Sequence, residues 1–339
     1  MNGERFFDDY GVIPQSFLRL STVRNATELL WSDEWERLLR LCGIPEREID
    51  GRASDYERFA ALCRAFPLLD GHPMQFYLKS FLGAYFPTLP MPSSDTCVEL
   101  WREIADKLLQ KPCKPTDFLP SREPISCLMS TLEVPELPPS LLPMLNADLF
   151  LKDGGTYRAW RERIGTVIQQ FCQNGARAVR ITLARTFAFV QPDLYHVELA
   201  LKKPSSAEKD ILTCQLFREL CEVCQSLSMT LLVEIHCQPQ EAVALLRYAQ
   251  KNVGLPTVNW SADPAAAREI LAFQAEARGV CMNWCLRSGE YLTEDALASA
   301  IKVAASCYPA GRLQFLTALD LRFSRFEQKR IAAVLQKSF

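Results

Sequence analysis

From about residue 125 onward, apolar runs of strand length alternate with longer stretches that carry apolar residues at helical spacing. No other feature of the chain constrains its fold as strongly. Strands are expected at Ile125–Thr131, Ala147–Lys152, Ala176–Ala184, Met229–Cys237, Pro256–Ser261, Val280–Leu286 and Leu313–Asp320. Helices fall between most of them: Tyr157–Cys172 ending at Gly175, Ala207–Leu227, Gln240–Asn252, Pro264–Ala277 capped by Asp263, Glu294–Cys307 capped by Thr293, and Ser324–Lys337. Strands separated by helices of this length pair in parallel through right-handed crossovers. An early strand at Val12–Leu20 brings the number to eight, that of an α/β chain folded as a (β/α)8 TIM-type barrel. A doubly wound open sheet is the rival, but no Gly-rich phosphate turn follows any of these strands.

The first hundred residues read differently. Asn25 with Glu28 resembles a capping box, Asp33 can cap a second helix and Gly43 can end it. Ser54 with Glu57 starts a third helix, another spans Met74 to Tyr85, and Ser94 opens one that runs to Leu109. Eight of the chain's 21 prolines then cluster between Pro112 and Pro143, where no long helix can survive. The expected organisation is a barrel built from 1–21 and 113–339, distorted by a helical insertion, 22–112, after its first strand.

Composition narrows the function. With 38 Lys+Arg against 40 Asp+Glu the net charge is −2, which argues against nucleic acid as a main partner. No run approaches 18 uncharged apolar residues, so no membrane span is expected. Glu4, Arg5, Asp8 and Asp9 interrupt the first ten residues, leaving no signal-peptide core and pointing to a cytoplasmic protein. The 13 cysteines lack a disulfide framework and read as reduced, buried thiols. Cys221 and Cys224 share one face of a helix without a helix N-terminus or further ligands, so they read as structural too.

In a barrel the reactive groups stand at the C-terminal ends of the strands. There the chain offers Arg19 and Ser21, Lys152 and Asp153, Arg185, His236 and Cys237, Asp263, Arg287, and Asp320 with Arg322. Several guanidinium groups, several carboxylates and one imidazole suit a small anionic ligand. Asp263 is better read as a helix cap, while His236, ending an otherwise apolar strand, can act as acid, base or ligand. Asp320 and Arg322, two apart, face the same side of their strand. No zinc signature and no Gly-x-Ser-x-Gly elbow is present.

Several segments resemble the glucuronate (uronate) isomerases of the amidohydrolase superfamily: Asn25-Ala26-Thr27-Glu28-Leu29-Leu30, then Arg37, Arg40 and Gly43, Ser54 to Phe59, Gly71-His72-Pro73, and Asp95-Thr96 with Glu99-Leu100-Trp101. Weaker echoes follow at Cys172–Arg177, His236 and Asp320-x-Arg322. The resemblance implies a distorted barrel with a helical insertion after strand one, and aldose–ketose isomerisation of a hexuronate, D-glucuronate or D-galacturonate. It implies that His236 and Asp320 are the catalytic residues, that Arg322, Arg37 and Arg40 bind the substrate, and that Asp320 is placed as a metal ligand and base in the family; Arg19, at the end of the first strand, is a further substrate-binding candidate. Relatives of this size are often homo-oligomers, though no interface is legible here.

The chain departs from the family pattern where metal chemistry would sit. Phe17-Leu18-Arg19 stands for the family's His-x-His, Leu78-Lys79-Ser80-Phe81 for Thr-His-Leu-Glu, and Arg180-Ile181 for the strand-four Asp-His. The expectation is therefore no metal and no other cofactor, with Arg19 facing Asp320 in place of the ion. A relative without turnover, binding a sugar acid or a protein partner, is the alternative.

Overall fold

A computed structural model describes residues 12–14, 22–31, 33–50, 52–114, 117, 125–134, 136–137, 141–202, 206–262, 264–277, 282–287, 293–307, 314–316, 330, 333–334 and 336. The chain divides into two compact units. One takes Met1–Gln15, Pro124–Leu286 and Ala300–Leu316; the other takes Ser16–Glu123, Arg287–Ser299 and Thr317–Phe339.

The first unit is built on strands β1 (Val12–Pro14), β2 (Ile125–Leu128), β3 (Leu141–Asn146), β4 (Ala178–Leu183), β5 (Thr230–Ile235), β6 (Val258–Ala262), β7 (Met282–Arg287, whose last residue belongs to the other unit) and β8 (Gln314–Leu316). They form one eight-stranded sheet in the order 1-2-3-4-5-6-7-8, and β1 to β7 pair in parallel. That order decides against a doubly wound sheet, which reverses direction at a switch point. It is the winding of a (β/α)8 barrel, as expected. Among the described residues no pairing joins β8 to β1.

Between the strands lie helices α6 (Tyr157–Gln173), α7 (Leu194–Lys202), α8 (Ser206–Ser226), α9 (Pro239–Asn252), α10 (Pro264–Glu276) and α11 (Glu294–Cys307). The strand period of two gives the sheet distinct faces. Val179, Ile181, Leu183, Leu231, Val233, Ile235, Val258 and Trp260 are at most 2% exposed, each worth roughly 1.5–3 kcal/mol of burial. The helices cover this face, since Trp260 Nε1 donates to Gln274 Oε1 of α10 at 3.4 Å. The other face begins apolar, where Leu128, Met144, Ala178 and Leu232 pack together.

Two elements differ from expectation. The third strand is Leu141–Asn146, and the expected strand Ala147–Lys152 is a 3-10 helix capped by Asn146, whose side chain accepts from the Asp148 N–H at 3.3 Å. Pro143, inside this strand, costs no ladder bond. The Met144 carbonyl accepts from Met129 N on the β2 side, so by alternation the Pro143 nitrogen faces β4. Pairing with β4 begins only at Leu145. Helix α7 was unforeseen; Asp193 caps it, accepting from the His196 N–H at 3.0 Å.

The second unit holds α1 (Ala26–Leu30), α2 (Asp33–Leu41), α3 (Asp55–Ala65), α4 (Pro73–Tyr85) and α5 (Cys97–Gln110) around a core that includes Trp35, Phe59, Tyr77, Phe81 and Leu100. Asn25 caps α1 through the Glu28 N–H at 3.0 Å, but the Glu28 carboxylate turns to the Arg24 N–H at 2.8 Å, so the box is half made. Asp33 is the first residue of α2 rather than its cap. Gly43, at φ +76°, ends that helix as expected. His72 caps α4 by accepting from Met74 N at 3.1 Å, with Pro73 at its first position. Helix α5 starts at Cys97, not Ser94, because Ser93 and Thr96 bond each other's backbone N–H at 3.0 and 3.2 Å and turn the chain first.

Ser54 and Glu57 form a full capping box, with Glu57 N to Ser54 Oγ at 3.2 Å and Ser54 N to Glu57 Oε2 at 2.7 Å. Replacing Ser54 by alanine is expected to lower stability by about 1 kcal/mol, read as a urea-midpoint shift, whereas Ser54→Asp should leave it nearly unchanged.

Candidate active site at the carboxyl ends of the strands

The face of the sheet opposite the helices turns polar toward the C-terminal ends of β4 to β6. Register places Asn146, Arg180 and Leu232 in one row, and Thr182, Glu234 and Ser261 in the next. Asn259 is level with Leu232 and is 1% exposed; Ser261 is 2% exposed. Six polar side chains on one face of otherwise apolar strands are costly to bury unless they serve each other or a ligand. Arg180 and Glu234 serve each other through a hydrogen-bonded ion pair across β4 and β5. Ser261 Oγ is buried with no hydrogen-bond partner among the described residues.

His236 follows directly on β5. Its N–H donates to the Leu183 carbonyl at 2.9 Å, which continues the β4–β5 ladder and fixes its backbone. Its half-exposed ring has Nε2 4.0 Å from Glu234 Oε2. Asp148, in the 3-10 helix after β3, accepts from Thr182 N at 3.0 Å and so belongs to the same cluster. Burial works to lower the Arg180 pKa, but the Glu234 hydrogen bond and the Glu234 and Asp148 charges outweigh it and hold the pKa above its ordinary value. Arg180, Glu234 and His236 thus form a compact charged group at the expected end of the sheet. It can bind an anion, orient an imidazole and move a proton.

Of the residues singled out from sequence, His236 is the one described in this group. Arg19, Asp320 and Arg322 lie outside the described residues, as do Ser21 and Asp263. Arg37 and Arg40 are exposed on α2, in the other unit, and Arg40 is paired with Glu46 at 2.7 Å and Glu36 at 3.5 Å. Asp153 pairs with Arg163 at 3.1 Å, and Arg185 is exposed. Glu234, Asp148, Asn259 and Ser261 were missed. Their signal was present as polar residues two apart, Arg180-x-Thr182, Glu234-x-His236 and Asn259-x-Ser261, inside apolar strands.

The family resemblance implies a metal, and Asp320, the ligand it names, lies outside the described residues. Among the described residues no three His, Cys, Asp or Glu side chains converge as a cage. The carboxylate best placed to ligate, Glu234, is bound to the permanently charged guanidinium of Arg180.

The thiols carry structure instead of chemistry. Cys221 and Cys224 are buried and free, and burial raises both pKa values, that of Cys224 to about 12. Burial likewise lifts Cys127 and Cys214 to about 12 and Cys237 to about 11. A folded pKa above the unfolded value means that stability is fully present below the unfolded pKa near 9 and is lost as pH rises through 11–12. Urea midpoints are therefore expected to stay flat with respect to these thiols up to pH 9 and then fall, each thiol contributing up to about 1.4 kcal/mol per pH unit. Alkylation of Cys221 and Cys224 at pH 8 should require unfolding.

An α/β protein with sequentially wound parallel strands and a charged cluster at their carboxyl ends is of the TIM-barrel class. Residues 15–133 match the family described as Glucuronate isomerase. The uronate isomerase of Bacillus pumilus is 30% identical over 108 residues, 31% of this chain and 23% of that protein's length. That of Thermotoga petrophila is 34% identical over 88 residues, 23% of this chain and 20% of that protein. These curated relatives are thus matched over less than a quarter of their own length. In fold the likeness is broader. The crystal structure of uronate isomerase from Thermotoga maritima superposes with a TM-score of 0.76 at 17% identity, covering 98% of this chain and 87% of that one. Glucuronate isomerase from Caulobacter crescentus gives 0.75 at 11% identity, covering 97% and 84%. The likeness to uronate isomerases is thus one of sequence within residues 15–133 and one of fold over most of the chain.

Proposed function

We propose that the chain binds a hexuronate at the carboxyl ends of β4 to β6 and interconverts its aldose and ketose forms. The observation that carries this reading is the Arg180–Glu234–His236 group, set on a fold shared with uronate isomerases. In such a reaction a base removes the proton from the carbon next to the carbonyl. The resulting enediolate takes a proton at the former carbonyl carbon, so no atom is gained or lost overall. His236, oriented by Glu234, is assigned the proton transfer, and Asp320 is kept from the sequence as a second catalytic group. Arg180 and Arg322 are assigned the anionic oxygens of the sugar acid. Arg40 is not assigned, because Glu46 already occupies it.

One observation favours a second reading, uronate binding without turnover: Glu234 already neutralises much of the Arg180 charge. Incubation of the purified protein with D-glucuronate and with D-galacturonate, with and without divalent metal, separates the two. Ketose formation abolished in Asp320→Asn supports isomerisation. Calorimetric uronate binding with no ketose formed supports the second reading, and neither binding nor conversion defeats both.

A further inference from the structure

We infer that Arg180 is the built-in cation of this site, holding Glu234 in a buried ion pair so that this carboxylate is not offered to a divalent ion and the anionic ligand meets a guanidinium. Asp148 after β3, and Glu234 and His236 at the end of β5, are two carboxylates and an imidazole of the types a divalent ion takes, yet among the described residues they do not converge as a cage. Arg180 stands on the same face of β4, hydrogen-bonded to Glu234 and within reach of the Asp148 charge. A guanidinium cannot shed its proton to admit a second cation, and the pair is largely buried, at 18% and 15% side-chain exposure, so water screens the repulsion poorly. An ion coordinated by Glu234 would first have to break that pair.

The guanidinium is also not used up. It presents five N–H donors in one plane, and Glu234 can engage only part of them, which leaves donors for a carboxylate or an enediolate. Placing the cation on the protein makes it permanent and directional, at the cost of the Lewis acidity a metal would supply. This assignment rests on the reading of the cluster as a hexuronate site, but its first arm stands without that reading.

In that arm the protein is stripped with EDTA, dialysed against zinc and then manganese, and freed of excess, and metal per chain is measured by mass spectrometry. Wild type is expected to retain no stoichiometric ion. One equivalent retained in wild type and released in Glu234→Gln would overturn the inference. In the second arm, D-glucuronate binding is followed by calorimetry with EDTA and with metal. The affinity should be the same in both and weaken by roughly 10- to 100-fold in Arg180→Met, the size of a lost charged hydrogen bond. Because Arg180→Met strands a buried carboxylate, Arg180→Lys is measured beside it; this variant keeps the charge while losing the planar fork and should fall between the two. An affinity that rises with metal in wild type would also overturn the inference. Glucuronate failing to bind under any condition would defeat the functional proposal, while the metal arm still decides this one.

Discussion

His236→Asn is expected to lower kcat for hexuronate isomerisation by about 10²- to 10⁴-fold while leaving substrate affinity within a few-fold of wild type. The asparagine keeps the backbone N–H that bonds Leu183, so the β4–β5 ladder is preserved. Its side chain cannot carry a proton. His236 is half exposed and makes no part of the buried core, so the melting temperature should hardly move. Glu234→Gln is the informative partner. If Glu234 acts by orienting the imidazole, its amide should change the pH profile of kcat and lose less rate than His236→Asn does. Stopped assays with both uronates across pH 5–9 make the comparison. Unchanged kcat in His236→Asn would remove the imidazole from the chemistry and move the proton transfer to other groups.

The order of strands and helices was legible because hydrophobic period is a local property, and from α6 to α11, α7 apart, the expected and observed elements agree to within a few residues, while the expected helix Ser324–Lys337 lies largely outside the described residues. Two signals were overridden by context. The strand expected at Ala147–Lys152 forms earlier, at Leu141–Asn146, because Pro143 sits where β3 has not yet met β4 and its missing N–H costs no bond. The short α7 is held by the Asp193 cap and by packing on α8, which local pattern does not report. The residues that most resemble the family turn out to have structural work. Asn25 Nδ2 donates to Asp55 Oδ2 at 2.9 Å and Thr27 Oγ1 to the Asp55 carbonyl, docking α1 on α3, while Ser54 and His72 cap helices. The cluster at Arg180 was harder to see. Strand ends can be named from sequence, but which residues of neighbouring strands stand side by side depends on register, and the Arg180–Glu234 pair spans 54 residues. The expected pairing of Arg19 with Asp320 falls outside the described residues.

Removing the Glu219 carboxylate should markedly lower the stability of the first unit, by a route far in kind from the site chemistry. Glu219, on α8, is 1% exposed. Its Oε2 pairs with Arg161 Nε of α6 at 2.8 Å, and its Oε1 accepts from Tyr157 Oη at 2.6 Å and from Gln215 Nε2 at 2.5 Å. Gln215 also donates to Tyr157 Oη at 3.0 Å, so the network closes on itself between the two helices. Burial, then the Glu219 hydrogen bond and charge, push the Tyr157 phenol up to about 12. In Glu219→Ala the half-exposed Arg161 can turn to water and to Glu222, already 2.7 Å away, so the ion pair itself is a modest loss. Tyr157 and Gln215 are less free to turn: the half-buried phenol loses its acceptor, and the buried Gln215 amide keeps only its bond to Tyr157 Oη. The expected cost is about 2–4 kcal/mol, read as a lower urea midpoint at unchanged slope. Glu219→Gln keeps an acceptor for both donors and should cost roughly half as much, while Glu222→Ala should stay within about 0.5 kcal/mol. Equal losses in Glu219→Gln and Glu219→Ala would show that charge, and not hydrogen-bond satisfaction, holds α6 to α8.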